Sequence, residues 1–240
     1  MMNKEVLADA DWFQMRLPHF YRLYERSDKL DPDNYFKNYS ALVAEECLET
    51  CFRPLDEILG KLDPKAREQL FEKALDYVVK KDPRRGHFQL FNCLNEARGY
   101  VILDERGYDE ISFIDCKNQS KGSPDLLGKL KNSKAILEVK TINESEENVD
   151  RRFNNDPLQV RSARRLSDEF KGKLIKTIKC AKEKQLDAYP ESVDKKIVLL
   201  LVRFDLDNLV ADANFALLRE WVAEIGIEYP ELEIICKPVL

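Results

Sequence analysis

The chain is poor in several residue types that commonly carry recognisable chemistry. Its 240 residues include two histidines, His19 and His87, which leave little material for histidine-based acid–base or triad chemistry. The six cysteines, Cys47, Cys51, Cys93, Cys116, Cys180 and Cys236, form no Cys-x-x-Cys pair and no Cys/His cluster, which argues against zinc. Cys47 and Cys51 fall one helical turn apart and read as small core residues. With eight glycines there is neither a Gly-x-x-x-x-Gly-Lys loop nor a dinucleotide fingerprint. The longest apolar run, Ile197 to Val202, is far short of the ~20 residues that span a bilayer. The first residues lack the apolar core of a signal peptide, so a cytoplasmic protein without a membrane partner is expected.

What is present indicates a folded chain. A hydrophobic share of 44% with 10% aromatics is that of a globular protein, long enough for one large domain or a core with an appendage. The net charge of −5 argues against a generally sticky nucleic-acid binder, but the charge is unevenly spread. Residues 151–184 hold eleven basic and four acidic side chains, a balance of +7, so the remainder carries −12.

The most informative segment runs from Gly122 to Asn143 and reads as a hairpin. With Lys131-Asn132 at its centre, residues whose numbers sum to 263 face each other, and Asp125 lies opposite Glu138. Cross-strand partners share a sheet face and sit about 5 Å apart, as do residues two apart on one strand. Asp125, Glu138 and Lys140 then crowd one face, with Leu126, Leu137 and Val139 on the other. Two carboxylates so close repel unless a proton or cation lies between them, and hard oxygen ligands suit Mg²⁺ or Mn²⁺. Such an arrangement suits cleavage of a phosphodiester. Ala-Ile-Leu-Glu-Val-Lys is also acceptable helix composition, and Glu and Lys two apart are common on exposed edge strands; both readings stay open at this point.

Pro124-Asp125 followed by Glu138-Val139-Lys140 resembles the motif of the PD-(D/E)XK nucleases, the superfamily of restriction endonucleases and Holliday-junction resolvases. That resemblance implies an α/β fold, a restriction-endonuclease-like core in which a mixed central sheet is flanked by helices. Its core order of helix, three antiparallel strands, helix and strand is matched over about residues 85–206. An apolar-periodic helix is expected from His87 to Leu103, and a strand at Glu110–Asp115. The hairpin follows, then an amphipathic helix from about Ser162 to Ala188 with Leu166, Phe170, Leu174, Ile178 and Ala181 inward. The run Ile197–Phe204 reads as a strand buried on both faces. The closely spaced cysteine trio of the iron–sulfur members is absent.

The resemblance implies catalytic roles for Asp125, Glu138 and Lys140. It implies a Mg²⁺ or Mn²⁺ held by Asp125, Glu138, the Val139 carbonyl and Glu96, the last from the first core helix; as a residue alone, Glu96 reads equally as an exposed helix glutamate. Arg151, Arg152, Arg161, Arg164, Arg165, Lys173 and Lys176 are the expected nucleic-acid contacts, in a stretch that begins just after the Glu138–Lys140 strand. Lysines and arginines there would release counterions from phosphates and make affinity salt-dependent. The same stretch can be read as a solvated basic helix, and Lys173 and Lys176 are indistinguishable from solvated helix lysines.

The expected organisation is a helical N-terminal region at 1–80, a nuclease-like core at 81–210, and a C-terminal helix with an edge strand at 211–240. Asp63-Pro64 predicts a helix start, with Ala66, Leu70, Phe71, Ala74, Leu75 and Val78 buried. The aromatics Trp12, Phe13, Phe20, Tyr21, Tyr24, Tyr35, Phe36 and Tyr39 read either as packing or as a binding surface. The tail predicts a helix over Ala213–Ile225 and an edge strand over Glu231–Cys236. The functional expectation is a metal-dependent nuclease acting on nucleic acid, with DNA favoured. The alternative is a non-catalytic nucleic-acid-binding or adaptor protein that keeps the nuclease fold. Cutting both strands of a duplex often implies two active sites, so a homodimer is among the expected states.

Overall fold

A computed structural model describes residue 11 and residues 13–28, 34–38, 46–83, 86–114, 122–142, 166–203 and 208–239. The chain divides into two compact units, Met1–Ile102 and Leu103–Leu240.

The first unit is helical: α1 (Pro18–Asp28), a 3₁₀ turn (Tyr35–Asn38), α2 (Glu46–Lys61), α3 (Pro64–Val78), α4 (Phe88–Leu94) and α5 (Glu96–Glu105), which runs across the division. α3 starts where the sequence predicts. Asp63 Oδ1 accepts the amides of Lys65 and Ala66 at 2.8 and 3.0 Å, and Pro64 takes a position whose N–H has no helical partner. Its inward face is Ala66, Leu70, Phe71, Ala74 and Val78, while Leu75 is only half-buried. The aromatics pack on one another. Phe52 stacks on Phe91 with ring centroids 5.7 Å apart, and Phe20 tilts against Phe52. Tyr35 meets Phe36, His87 and Phe91 edge-on. Trp12 and Tyr39 lie outside the described residues.

The single helix expected over 87–103 is two. Arg98 N–H bonds the Asn95 carbonyl three residues back, at 3.0 Å, and this tightened turn ends α4 and opens α5. Glu96 therefore sits in the first turn of a helix, where the aligned backbone dipoles favour a carboxylate.

The second unit is α/β. Strands β1 (Glu110–Phe113), β2 (Leu126–Leu130), β3 (Ser133–Ile142), β4 (Lys195–Arg203) and β5 (Leu232–Val239) form one mixed sheet in the order β1-β2-β3-β4-β5. The first three strands are antiparallel neighbours. α6 (Asp168–Ala181) carries the chain from β3 to a parallel β4, and α7 (Asn208–Glu228) from β4 to a parallel β5. Observed pairs such as Leu126↔Leu137 and Leu130↔Ser133 follow the expected register, with Lys131 taking the left-handed conformation (φ 51°) that the two-residue turn requires. Ile197 to Val202 are fully buried, which explains their unbroken apolar run.

One sheet face carries Ile136, Ile142, Val198, Leu200 and Val202 against Leu174, Ile178 and Ala181 of α6 and Leu218, Trp221 and Ile225 of α7. Each fully buried aliphatic side chain of this kind contributes roughly 1.5–3 kcal/mol. α6 starts six residues later than expected from Ser162. Ser167 is extended and its Oγ accepts the Phe170 amide at 3.3 Å, with Asp168 and Glu169 in the first turn. Beyond Ala181 the helix widens into a π turn, Lys182–Leu186, closed by Asp187 N–H to Lys182 O at 2.8 Å. α7 extends past both ends of its expected span, β5 starts one residue late and runs on to Val239, and no helix among the described residues is long and apolar enough to cross a membrane.

Candidate functional site

Asp125 stands immediately before β2, and its chain is turned there. Its N–H donates to Leu137 O at 3.1 Å, while its carbonyl accepts from Ile114 N–H at 2.9 Å. The side chain takes up the ladder instead, with Oδ2 accepting the Val139 amide at 2.8 Å. The approach to this position is tight. A Cβ on Gly122 would lie 2.5 Å from the Lys184 carbonyl of the π turn, so a glycine is needed for the chain to pass.

Glu138 and Lys140 are on β3. Alternation along the strand puts both on the face of Ile136 and Ile142, and Asp125, one residue before the paired register, comes close enough to attract the Lys140 ammonium. Glu138 is 2% exposed, and its Oε1 accepts Lys140 Nζ in an ion pair. Burial alone would lower the Lys140 ammonium. Attraction and hydrogen bonding to Glu138, with further attraction from Asp125 and Cys180, outweigh burial and hold it above the ordinary lysine range. Lys140 is therefore a cation at neutral pH, and Asp125, Glu138 and Lys140 come together as their spacing predicts.

Glu96 belongs to the helical unit. It is 6% exposed, and Lys73 Nζ donates to both of its oxygens at 2.7 Å, so it is not an exposed helix glutamate. Val139 was expected to offer its carbonyl; its contact with Asp125 is through its amide. Arg151, Arg152, Arg161, Arg164 and Arg165 lie outside the described residues. Lys173 is half-buried on α6, and Lys176 is exposed. Neighbouring cations are held by acids: Lys171 by Glu224, Lys179 by Glu183, and Lys182 by Asp187 and Glu231. Among the described residues these acids offset the charge of three of the lysines in this stretch. Gly122 and Cys180 complete the surroundings. The Gly-Ser-Pro-Asp run signals a tight passage into Asp125, whereas nothing local to Cys180 places it near Lys140.

Among the described residues no group of three or more His, Cys, Asp or Glu side chains could hold a metal ion. Mg²⁺ and Mn²⁺ need fewer, since they keep several waters and use one or two carboxylates. The Asp125–Glu138 pair fits that demand in donor chemistry, with the Lys140 ammonium as the competitor a cation would meet at Glu138. Compared with protein-family models, curated proteins and solved structures, the chain matches none.

Proposed function

We propose that the protein is a Mg²⁺- or Mn²⁺-dependent nuclease that hydrolyses nucleic-acid phosphodiesters, DNA in preference to RNA. The observation that carries this reading is the convergence of Asp125 and Lys140 on the buried Glu138. The chain order of helix, three antiparallel strands, helix and parallel strand accords with a restriction-endonuclease-like core.

In this reading Asp125 and Glu138 hold the cation, and the chemistry supplied there is activation of water and polarisation of the phosphoryl group. Val139 N–H fixes the Asp125 carboxylate. Lys140, kept protonated by Glu138, orients the attacking water and offsets charge developing on the phosphate. Incubating labelled DNA and RNA with Mg²⁺, Mn²⁺ or EDTA, beside Asp125→Asn protein, tests the proposal. Metal-dependent cutting that the variant lacks supports it. Equal cutting by both proteins removes these residues from catalysis.

One observation favours a second reading, a nucleic-acid-binding or adaptor protein that does not cut. Glu138 is neutralised by Lys140, and Asp125 is engaged by a backbone amide, so the cluster is also a stable way to finish a hairpin. Salt-sensitive DNA binding without cleavage under any metal would select it.

A further inference from the structure

The two edges of the sheet differ in how they are protected. β1 is four residues long, and its exposed Glu110 is tied to Lys129 of β2 at 3.0 Å. β5 is eight residues long, with the half-buried run Glu233-Ile-Ile-Cys236, and no strand among the described residues pairs beyond it. A long edge of that kind is a template for strand addition.

The side chains of β5 sort into two rows. Leu232, Ile234 and Cys236 join the core under α7, while Glu233, Ile235 and Lys237 occupy the opposite face. Pro238 has no N–H to give the ladder, and a strand proline directs its nitrogen away from its paired neighbour. Residues of its parity, Ile234 and Cys236 among them, then direct their N–H and C=O groups outward.

A second copy of this strand fits that edge in one register. A two-fold axis normal to the sheet makes one residue meet its own copy. With Ile235 on the axis, Glu233 faces the copy's Lys237 at both ends, Ile235 faces Ile235, and Ile234 faces Cys236. With Cys236 on the axis, Lys237 faces Ile235; with Ile234 there, Glu233 does. Only the first register sets charge against charge and apolar against apolar. In it the outward groups of Ile234 and Cys236 bond reciprocally, and Pro238 falls at the outer end, where its missing donor is least costly. Glu233 already holds Arg106, with Arg106 Nη1 2.9 Å from Oε2, and keeps 40% of its side chain exposed for a second cation.

We propose that β5 is the self-complementary edge of a two-fold dimer, in which two five-stranded sheets join antiparallel about Ile235 into one continuous sheet. This rests on the edge strand alone and is independent of the nuclease reading.

Sedimentation velocity on the full chain is the test. Wild type should sediment as a dimer, and Lys237→Glu, which sets glutamate against glutamate twice, should be a folded monomer. Mixing Lys237→Glu with Glu233→Lys should restore a dimer containing one of each, because every pair is again of opposite sign. As a check that does not depend on Glu233→Lys folding, Ile235→Cys in a Cys236→Ser background should form a disulfide-linked dimer on mild oxidation. Residues meeting at such an axis have Cα atoms about 4.5 Å apart, within disulfide range. A monomeric wild type, a dimer unaffected by Lys237→Glu, or an Ile235→Cys protein that does not cross-link would each overturn the proposal.

Discussion

The Asp125 carboxylate does a backbone's work for Val139: Oδ2 accepts the amide at 2.8 Å because the Asp125 carbonyl is turned toward Ile114. One side chain thus serves the strand and the candidate site together, and substitutions can separate the two roles. Asp125→Asn keeps an acceptor for Val139 and removes the charge. Its unfolding free energy from urea titration should stay within about 1 kcal/mol of wild type, while metal-dependent cleavage is lost. Asp125→Ala should lose cleavage and also about 1–3 kcal/mol, because it strands the Val139 amide. Equal stability of the two variants would show that the hydrogen bond contributes nothing.

Lys140→Met removes the counter-charge from a glutamate that is 2% exposed. Breaking one side of a buried pair costs roughly 3–5 kcal/mol, whereas the double variant Glu138→Gln/Lys140→Met should recover most of that loss. Denaturant unfolding of the single and double variants measures the coupling; additive losses would deny it.

Lys140 also sets an alkaline limit. Its ammonium is held above the ordinary lysine value of 10.5, so its contribution is complete below that pH and disappears as pH rises through the folded-state value. Thermal melts from neutral pH upward should show a fall beginning above 10.5 that Glu138→Gln reduces. An identical fall in that variant would assign the alkaline transition elsewhere.

In the helical unit, Asp56 of α2 accepts the His19 and Phe20 amides at 3.0 and 2.8 Å and so closes the start of α1. Burial pushes its carboxyl up to about 6, against the two amides, with Glu57 adding to the rise and Arg67 opposing it. A raised acid favours the folded state when protonated, so this contribution is full below the ordinary carboxyl range and is lost as pH climbs toward 6. Asp56→Asn keeps an acceptor and does not ionise. It should be more stable than wild type at pH 7 by on the order of 1–3 kcal/mol, with a flatter profile between pH 4 and 7. Melting curves across that range decide it, and an unchanged slope would sink the assignment.

Gly122→Ala puts a methyl 2.5 Å from the Lys184 carbonyl. Either the π turn or the lead into Asp125 must move, at a cost of about 1–3 kcal/mol. Under the nuclease proposal cleavage should fall further than stability explains, and measuring both on one preparation checks this.

Local features were legible in the residues alone. The hairpin register follows from a two-residue turn at Lys131-Asn132 and the period of a strand, so the gathering of Asp125 and Glu138 about Lys140 could be anticipated by counting. The Asp63-Pro64 helix start and the doubly buried β4 are equally local, a cap and an apolar run. The break at Asn95 and the late start of α6 were missed because apolar periodicity continues through both. What only the tertiary structure decided involves residues distant in sequence: Asp56 closing α1, Lys73 meeting Glu96, Arg106 meeting Glu233, and Glu224 and Glu231 pairing with Lys171 and Lys182. The same holds for β5, whose place at the sheet edge depends on α7 returning the chain beside β4. A turn or a cap is set by the dihedral and hydrogen-bonding preferences of adjacent residues, so sequence alone can specify it. An ion pair or a sheet order depends on which surfaces the packed core brings within a few ångströms.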